Sequence, residues 1–394
     1  MALEIDKSKT DIQIKFWDGN HACAEGALAA GMRSYFGYPI TPSSEIAEHL
    51  SRRLFEFTEG AFIQMEDEIA SVTACIGASY AGKKAMTATS GPGFSLMTEG
   101  IGLGIMTEAP FVIVNVMRAS PSTGQPTSVG QADLFQARYA YHGDVEIIAV
   151  VPYSAQEMYD LTIRAFNLAE KYRVPVVILA DEKIGHLKEA VVVSNPDTLD
   201  IVNRPKPFKN KEDYLAFEPD EQLIPHIANF GEGYNVFATG LTHNEKGYPD
   251  MNSPRHPELI KRINDKIRNN IDDISDFEEF LLDDAKIAII SFGISARCSK
   301  EAIEIARSEG MKVGLFRFKT IWPFPEKEIL KLAKKVDKIL VVELNYGQIT
   351  KEVKRTLQQQ SMCEVHSLAE PQSQPYTMDQ ILTKLKEVTG GEKA

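Results

Sequence analysis

The chain has 394 residues, enough for two or three domains at roughly 100–200 residues each. Hydrophobic residues make up 43% and charged residues 25%, the balance of a globular protein with a sizeable core. The net charge of −12 argues against non-specific nucleic-acid binding, which needs basic surface to neutralise phosphates, and no apolar run approaches the ~20 residues of a membrane span.

The first nine residues are polar and lack a secretory apolar core, so the expected compartment is the cytoplasm. Cys23, Cys75, Cys298 and Cys363 are far apart, with no Cys-x-x-Cys pair and no His-x-x-x-His spacing. The reading is therefore no metal site made by this chain alone, with Cys23 and Cys75 as core thiols on apolar helix faces.

In chain order, the pattern predicts a helix over 21–30, a strand over 33–38, a helix over 44–57 and a strand over 61–65. A helix of small and apolar residues follows over 68–81, then a strand over 84–89 and a glycine-bearing buried helix over 94–107. Apolar strands over 111–117 and 146–151 come next, then an amphipathic helix over 156–172 and a strand over 174–180. Strands alternating with helices at this spacing predict a doubly wound parallel sheet, and near-continuous apolar strands predict cover on both faces. From 195 to 284 charge, Pro, Asn and Gly dominate, which reads as an irregular connector with a polar helix over 261–273. Alternation resumes at 285. Strands are expected over 286–292, 312–319, 338–343 and 363–368, and helices over 299–308, 326–335, 349–359 and 378–388. The expected division is 1–194, 195–284 and 285–394, the last a smaller α/β domain.

Gly-x-x-x-x-Gly-Lys-Ser/Thr is absent. Gly100-Ile101-Gly102-Leu103-Gly104 lies inside a helical pattern and lacks the third glycine of the dinucleotide fingerprint, so these glycines read as close helix packing. Other segments hold chemistry. Tyr38-Pro39-Ile40-Thr41-Pro42-Ser43-Ser44-Glu45 joins a strand to a helix. Ser43 or Ser44 would serve as an N-cap, but a threonine between two prolines also suits a ligand site. Glu66-Asp67-Glu68 opens an apolar helix, so at least one carboxylate should enter a buried layer, where it needs a partner or a task. Thr89-Ser90-Gly91-Pro92-Gly93-Phe94 lets a ligand ring approach the backbone closely. Arg118 ends a buried strand and calls for an anion, either an internal acid or a substrate carboxylate. These loops bring a carboxylate, a hydroxyl and an arginine to one edge of the sheet.

The segments 38–45 and 64–70, Thr-Ser-Gly-Pro-Gly-Phe-Ser-Leu-Met at 89–97 and Pro-Ser-Thr-Gly-Gln-Pro-Thr at 121–127 resemble the α subunit of the 2-oxoacid:ferredoxin oxidoreductases. Residues 172–181, Gly240-Leu-Thr-His243 and Trp322-Pro-Phe-Pro325 extend the resemblance over most of the chain. The look is nearest the 2-oxoglutarate branch. The resemblance implies a thiamine diphosphate pyrimidine-binding first domain and a transketolase C-terminal-like domain at the end. It assigns Glu68 to N1′ of the aminopyrimidine as the catalytic acid, with Pro39, Ser90 and Gly91 beside the cofactor. Thr41, Arg118 and Thr123 would face the 2-oxoacid, and Glu66 and Asp67 would only start the helix. Burial should raise the pKa of Glu68 and help it share a proton with the ring.

The family's Gly-Asp-Gly diphosphate motif and its cluster cysteines are absent, and His142-Gly143-Asp144 is not that motif. The implied partner is a β subunit bringing diphosphate, Mg²⁺ and a [4Fe–4S] cluster. Further γ and δ subunits, ferredoxin, coenzyme A and a dimer of heteromers complete the expectation. The implied reaction is oxidative decarboxylation of 2-oxoglutarate to succinyl-CoA, or its reverse. The alternatives are a branched-chain or aryl 2-oxoacid, and a non-catalytic scaffold that kept the fold.

Overall fold

The computed structural model describes residues 13–358 and 362–390. The polar N-terminal stretch and Gln359, the last residue of one predicted helix, lie outside them.

The first half runs β1 (Gln13–Trp17), α1 (Gly19–Ala29), β2 (Ser34–Gly37), α2 (Ser44–Arg53), β3 (Ala61–Gln64), α3 (Glu68–Tyr80), β4 (Ala85–Thr89), α4 (Gly91–Met106) and β5 (Val112–Ala119). It continues through β6 (Gln125–Val129), α5 (Leu134–Tyr139), β7 (Ile148–Val150), α6 (Ala155–Tyr172), β8 (Val176–Asp181), α7 (Glu182–His186) and β9 (Glu189–Val193). β7, β8, β5, β4, β2 and β3 lie side by side in that order, all parallel. β5 is buried from Val112 to Arg118, as a strand covered on both faces must be. Glycine spacing sets how closely the cover packs. A Cβ at Gly100 would stand 2.3 Å from Val72 Cγ1 on α3, and one at Gly104 would stand 2.7 Å from the Phe111 ring, while Gly102 meets nothing within 4 Å. The glycine run in α4 is thus a packing device at two of its three positions. Cys23 and Cys75 are fully buried, and burial pushes the Cys23 thiol up to about 12.

The second half adds α8 (Arg255–Arg268), α9 (Ile271–Ile274), β10 (Phe277–Phe280), β11 (Ile287–Ser291), α10 (Gly293–Ser308), β12 (Val313–Phe318), β13 (Thr320–Trp322), α11 (Glu326–Lys335), β14 (Lys338–Glu343), α12 (Gln348–Leu357), β15 (Glu364–Ala369) and α13 (Met378–Val388). Its sheet runs β10-β12-β11-β14-β15, parallel except for β10. Strand β13 leaves this sheet and joins the first, antiparallel to β7, so the two halves share a sheet edge. A ribbon of β1 and β9, the antiparallel strand β6 and the short helices α5 and α7 have no counterpart in the predicted elements. Each is too short to show a period. The polar helix expected over 261–273 begins earlier, at Arg255, and ends at Arg268. Among the described residues no helix is long and apolar enough to cross a membrane.

Residues 199–254 form no regular strand or helix, yet they are pinned to the first half. Arg204 donates to Glu170 from its main-chain N, Nε and Nη2. Phe230 N donates to Tyr80 O at 2.7 Å. Helix α8 is held by Glu108, wholly buried, which accepts from Arg262 Nη2 at 2.5 Å and from Lys266 Nζ at 2.6 Å. Burial pushes the Glu108 carboxyl up, but the two cations outweigh it and leave its pKa at about 2. That is below the unfolded value of 4.5, so the pair's stabilisation is present above about pH 4.5 and fades as pH falls towards 2. Glu108→Gln should leave two buried cations uncompensated and lower stability near pH 7 by about 3–5 kcal/mol. Urea unfolding of both proteins across pH checks this: the gap should narrow below pH ~4.5, and a pH-independent gap would contradict it.

Candidate functional site

Parallel strands end at one edge of a sheet, and β3, β2, β4 and β5 are successive neighbours. The chain steps from β2 to β3 on one side and then resumes with β4 on the other, so the crevice between β2 and β4 is a topological switch point. Thr41, Glu68, Ser90 and Arg118 sit at or just beyond the ends of these strands.

Asp67 caps α3, its carboxylate accepting from Ala70 N at 2.7 Å, while Glu66 is exposed. The cap directs the next residue inward, and Glu68 is 5% exposed. Burial raises its pKa; its own backbone N–H opposes this, the charge of Asp67 adds to it, and the Thr89 hydroxyl opposes it. Among the described residues Glu68 makes no ion pair. Space for it comes from Gly93 in the first turn of α4. A Cβ there would stand 2.2 Å from both Glu68 Oε1 and Thr89 Oγ1. The glycine expected to admit a ligand ring therefore admits the acid's own side chain.

Arg118 is buried at the end of β5. Its Nη1 donates to Thr41 O at 2.7 Å, and its Nε is buried without a partner. Asp133, the buried residue before α5, lies close enough for its charge to act on Arg118, yet forms no ion pair with it. Burial raises the pKa of Asp133, offset by a hydrogen bond from Asn115 Nδ2 at 3.0 Å and by Arg118. Both expected kinds of anion thus remain open to Arg118: an internal acid stands nearby, and one guanidinium edge is still unpaired.

The other predicted residues are placed unequally. Thr41 meets Arg118 through its carbonyl, and its side chain is exposed. The serine N-cap is not formed, because the Ser43 hydroxyl donates to Ile40 O instead. The Ser90 hydroxyl donates to Val116 O at 2.8 Å, which leaves backbone as this turn's offer to a ligand. Gly91 is half-buried, and Pro39 and Thr123 are exposed, Thr123 in the loop between β5 and β6. The Gly240–His243 segment turns its histidine inward. His243 is buried with its ring 4.4 Å from that of Phe217, and burial lowers its pKa. Asn115 and Asp133 lie outside the loops that the sequence marks as holding chemistry. The signal at Asp133 is an acid immediately before the apolar pair Leu134-Phe135.

A cleft of about 790 Å³ opens elsewhere, between Arg138, Glu146, Arg268, Trp322, Phe324 and Arg355. It contains none of the residues above. The Glu68 edge is instead open, with Tyr38, Ile63, Ile69 and Leu96 exposed on the elements that carry it. A buried, protonatable carboxyl without a cation suits a ring nitrogen that shares its proton, so the residues fit the pyrimidine half of thiamine diphosphate. They do not fit a metal-bound diphosphate. Among the described residues no group of three or more His, Cys, Asp or Glu could hold a metal ion.

The class is that of thiamine diphosphate-binding 2-oxoacid oxidoreductase subunits. Residues 25–262 match the family model for pyruvate flavodoxin/ferredoxin oxidoreductase, thiamine diphosphate-binding, and residues 285–381 match pyruvate:ferredoxin oxidoreductase core domain II. The chain belongs to this family. The 2-oxoglutarate synthase subunit KorA of Methanothermobacter marburgensis is 49% identical over 94% of this chain and 98% of that protein. The solved 2-oxoglutarate:ferredoxin oxidoreductase from Magnetococcus marinus, with 2-oxoglutarate, coenzyme A and succinyl-CoA bound, superposes with TM-score 0.89 at 31% identity. That match covers 96% of this chain and 65% of the solved one. A split-gene transketolase matches at TM-score 0.55 and 13% identity over 94% of this chain and 97% of that one, a likeness of fold alone.

Gly93→Ala tests the cradle around Glu68. It should lower turnover of the assembled enzyme by at least about 100-fold through displacement of the carboxyl, with the far-ultraviolet circular dichroism unchanged. Wild-type turnover in that variant would show that the space is not needed.

Proposed function

We propose that this chain is the α subunit of a thiamine diphosphate-dependent 2-oxoglutarate:ferredoxin oxidoreductase. The reaction is oxidative decarboxylation of 2-oxoglutarate with coenzyme A to succinyl-CoA, CO₂ and reduced ferredoxin, or the reverse carboxylation. The single observation that carries this reading is Glu68, buried without a cation at the strand edge of a thiamine diphosphate-binding domain. The 49% identity to a 2-oxoglutarate synthase subunit supports the choice of acid.

Thiamine diphosphate supplies the nucleophilic carbon and the electron sink that decarboxylation of a 2-oxoacid requires. Glu68 offers its carboxyl to a pyrimidine ring nitrogen, and burial, which raises its pKa, favours the protonated form. Pro39, Ser90 and Gly91 line the cofactor's face, Ser90 and Gly91 through backbone. Arg118 offers its guanidinium to the substrate carboxylate, and the exposed Thr41 hydroxyl bonds the acid or ketone oxygen, with Thr123 beside it.

A β subunit completes the site with diphosphate, Mg²⁺ and a [4Fe–4S] cluster. The exposed Tyr38, Ile63, Ile69 and Leu96, on the elements around Glu68, support docking of another polypeptide there, since exposed apolar side chains are what an interface covers. Ferredoxin takes the electrons, γ and δ subunits belong to the same assembly, and the whole is a dimer of heteromers in the cytoplasm. The functional units of the chain are 1–194 for the pyrimidine, 195–284 as connector and 285–394 as the transketolase C-terminal-like domain.

Turnover of the reconstituted complex with a panel of 2-oxoacids tests this reading. Activity on 2-oxoglutarate is expected, and Glu68→Gln should cut it by at least about 100-fold. Activity on 2-oxoisovalerate or an aryl 2-oxoacid in its place would overturn the substrate. Near-normal activity of Glu68→Gln would mean that this chain is a scaffold.

A further inference from the structure

Arg118 is held from behind by a segment that the second half of the chain grips. β5 and β6 pair with Arg118 opposite Val129. Gly130 then passes so close that a Cβ would stand 2.3 Å from Arg118 O. Asp133 ends the segment, its Oδ2 3.2 Å from where a Gly91 Cβ would lie and its charge acting on Arg118. Residues 130–133 therefore touch both the arginine's backbone and its charge environment.

The hydrogen bonds that hold these four residues come largely from beyond residue 290. Gln131 is fully buried; its Oε1 accepts from Ser295 Oγ at 2.8 Å and Leu344 N at 3.1 Å, and its carbonyl accepts from Asn345 Nδ2 at 2.7 Å. Its Nε2 donates to Phe292 O at 3.3 Å and to Asp181 Oδ2 at 3.2 Å. Gln348, at the start of α12, donates to Ala132 O at 2.6 Å and accepts from Phe135 N at 2.8 Å, strapping the segment on both sides of Asp133. General adhesion between two domains does not require such bonds to converge on four residues next to one arginine. Other contacts between the halves, such as the Arg297–Glu189 ion pair at 2.6 Å, involve residues outside this segment.

We propose that Gln131 and Gln348 are positioning residues, through which the second domain holds the Gly130–Asp133 segment and thereby sets Arg118 for the substrate carboxylate. This rests on the reading of Arg118 as the carboxylate-binding residue. The smaller domain then has a role in substrate affinity without touching substrate. Misplacement of a binding group by a fraction of an ångström is enough to be read in kinetics.

Gln348→Ala in the assembled, thiamine diphosphate-saturated enzyme is the test, because Gln348 is less buried than Gln131. KM for 2-oxoglutarate should rise at least about fivefold. The thiamine diphosphate concentration for half-activation, which reads the Glu68 side of the site, should stay within about twofold. Arg297→Ala, which removes an interdomain ion pair elsewhere, should leave KM unchanged. An unchanged KM in Gln348→Ala, or an equal rise in Arg297→Ala, would overturn the proposal. If Gln348→Ala does not assemble, Gln348→Glu keeps the acceptor for Phe135 N, loses the donor to Ala132 O and is read by the same criterion. A wild-type complex inactive on 2-oxoglutarate would instead count against the proposed substrate, and KM would then be measured with the 2-oxoacid that is turned over.

Discussion

A carboxyl kept from water with no cation beside it is the constraint around which this molecule is arranged. The chain supplies its own contrast. Glu108 is buried deeper than Glu68, yet Arg262 and Lys266 bring its pKa down to about 2, and it serves to dock a helix. Glu68 has only a hydroxyl and its own backbone N–H to offset burial, so its pKa moves up. Two carboxyls in one fold are driven apart by their neighbours, and the one left without a counter-charge is the one suited to exchange a proton with a ligand.

That arrangement needs close packing on every side. Gly93 leaves room for the acid, Asp67 caps the helix that aims it, and Gly100 lets α3 and α4 approach closely enough to seal the layer below. The open side has no such cover, and its apolar residues are exposed. The site is closely packed below, and exposed apolar residues lie on the elements above it. The second domain reinforces the closed side, through β13 at the sheet edge and through the bonds to Gln131 and Gln348.

Much of this was legible in the sequence because the signals were periodic or chemically crowded. The parallel sheet followed from apolar strands at regular spacing, and α11 and α13 fall on their predicted bounds because amphipathic helices with clear stops leave little choice. Glu66-Asp67-Glu68 before an apolar helix announced a buried acid. What was hidden depends on tertiary contact. Gly93 reads as a loop glycine until Glu68 is seen lying against it. The Ser43 cap looked natural from composition, but its hydroxyl turned back to Ile40 O. The 199–254 segment lacks regular structure, and nothing in its composition shows that Arg204 would bind Glu170 or that His243 would be buried in it. Asp133, eighteen residues after Asn115 and fifteen after Arg118 in sequence, meets both only because β6 turns back along β5.

The most direct measurement is a structure of the assembled enzyme with thiamine diphosphate bound. The account predicts a Glu68 carboxyl oxygen about 2.6–3.2 Å from a nitrogen of the aminopyrimidine ring, with the diphosphate held by residues of another chain. A thiamine ring bound elsewhere, with Glu68 facing solvent or paired to a protein cation, would contradict it.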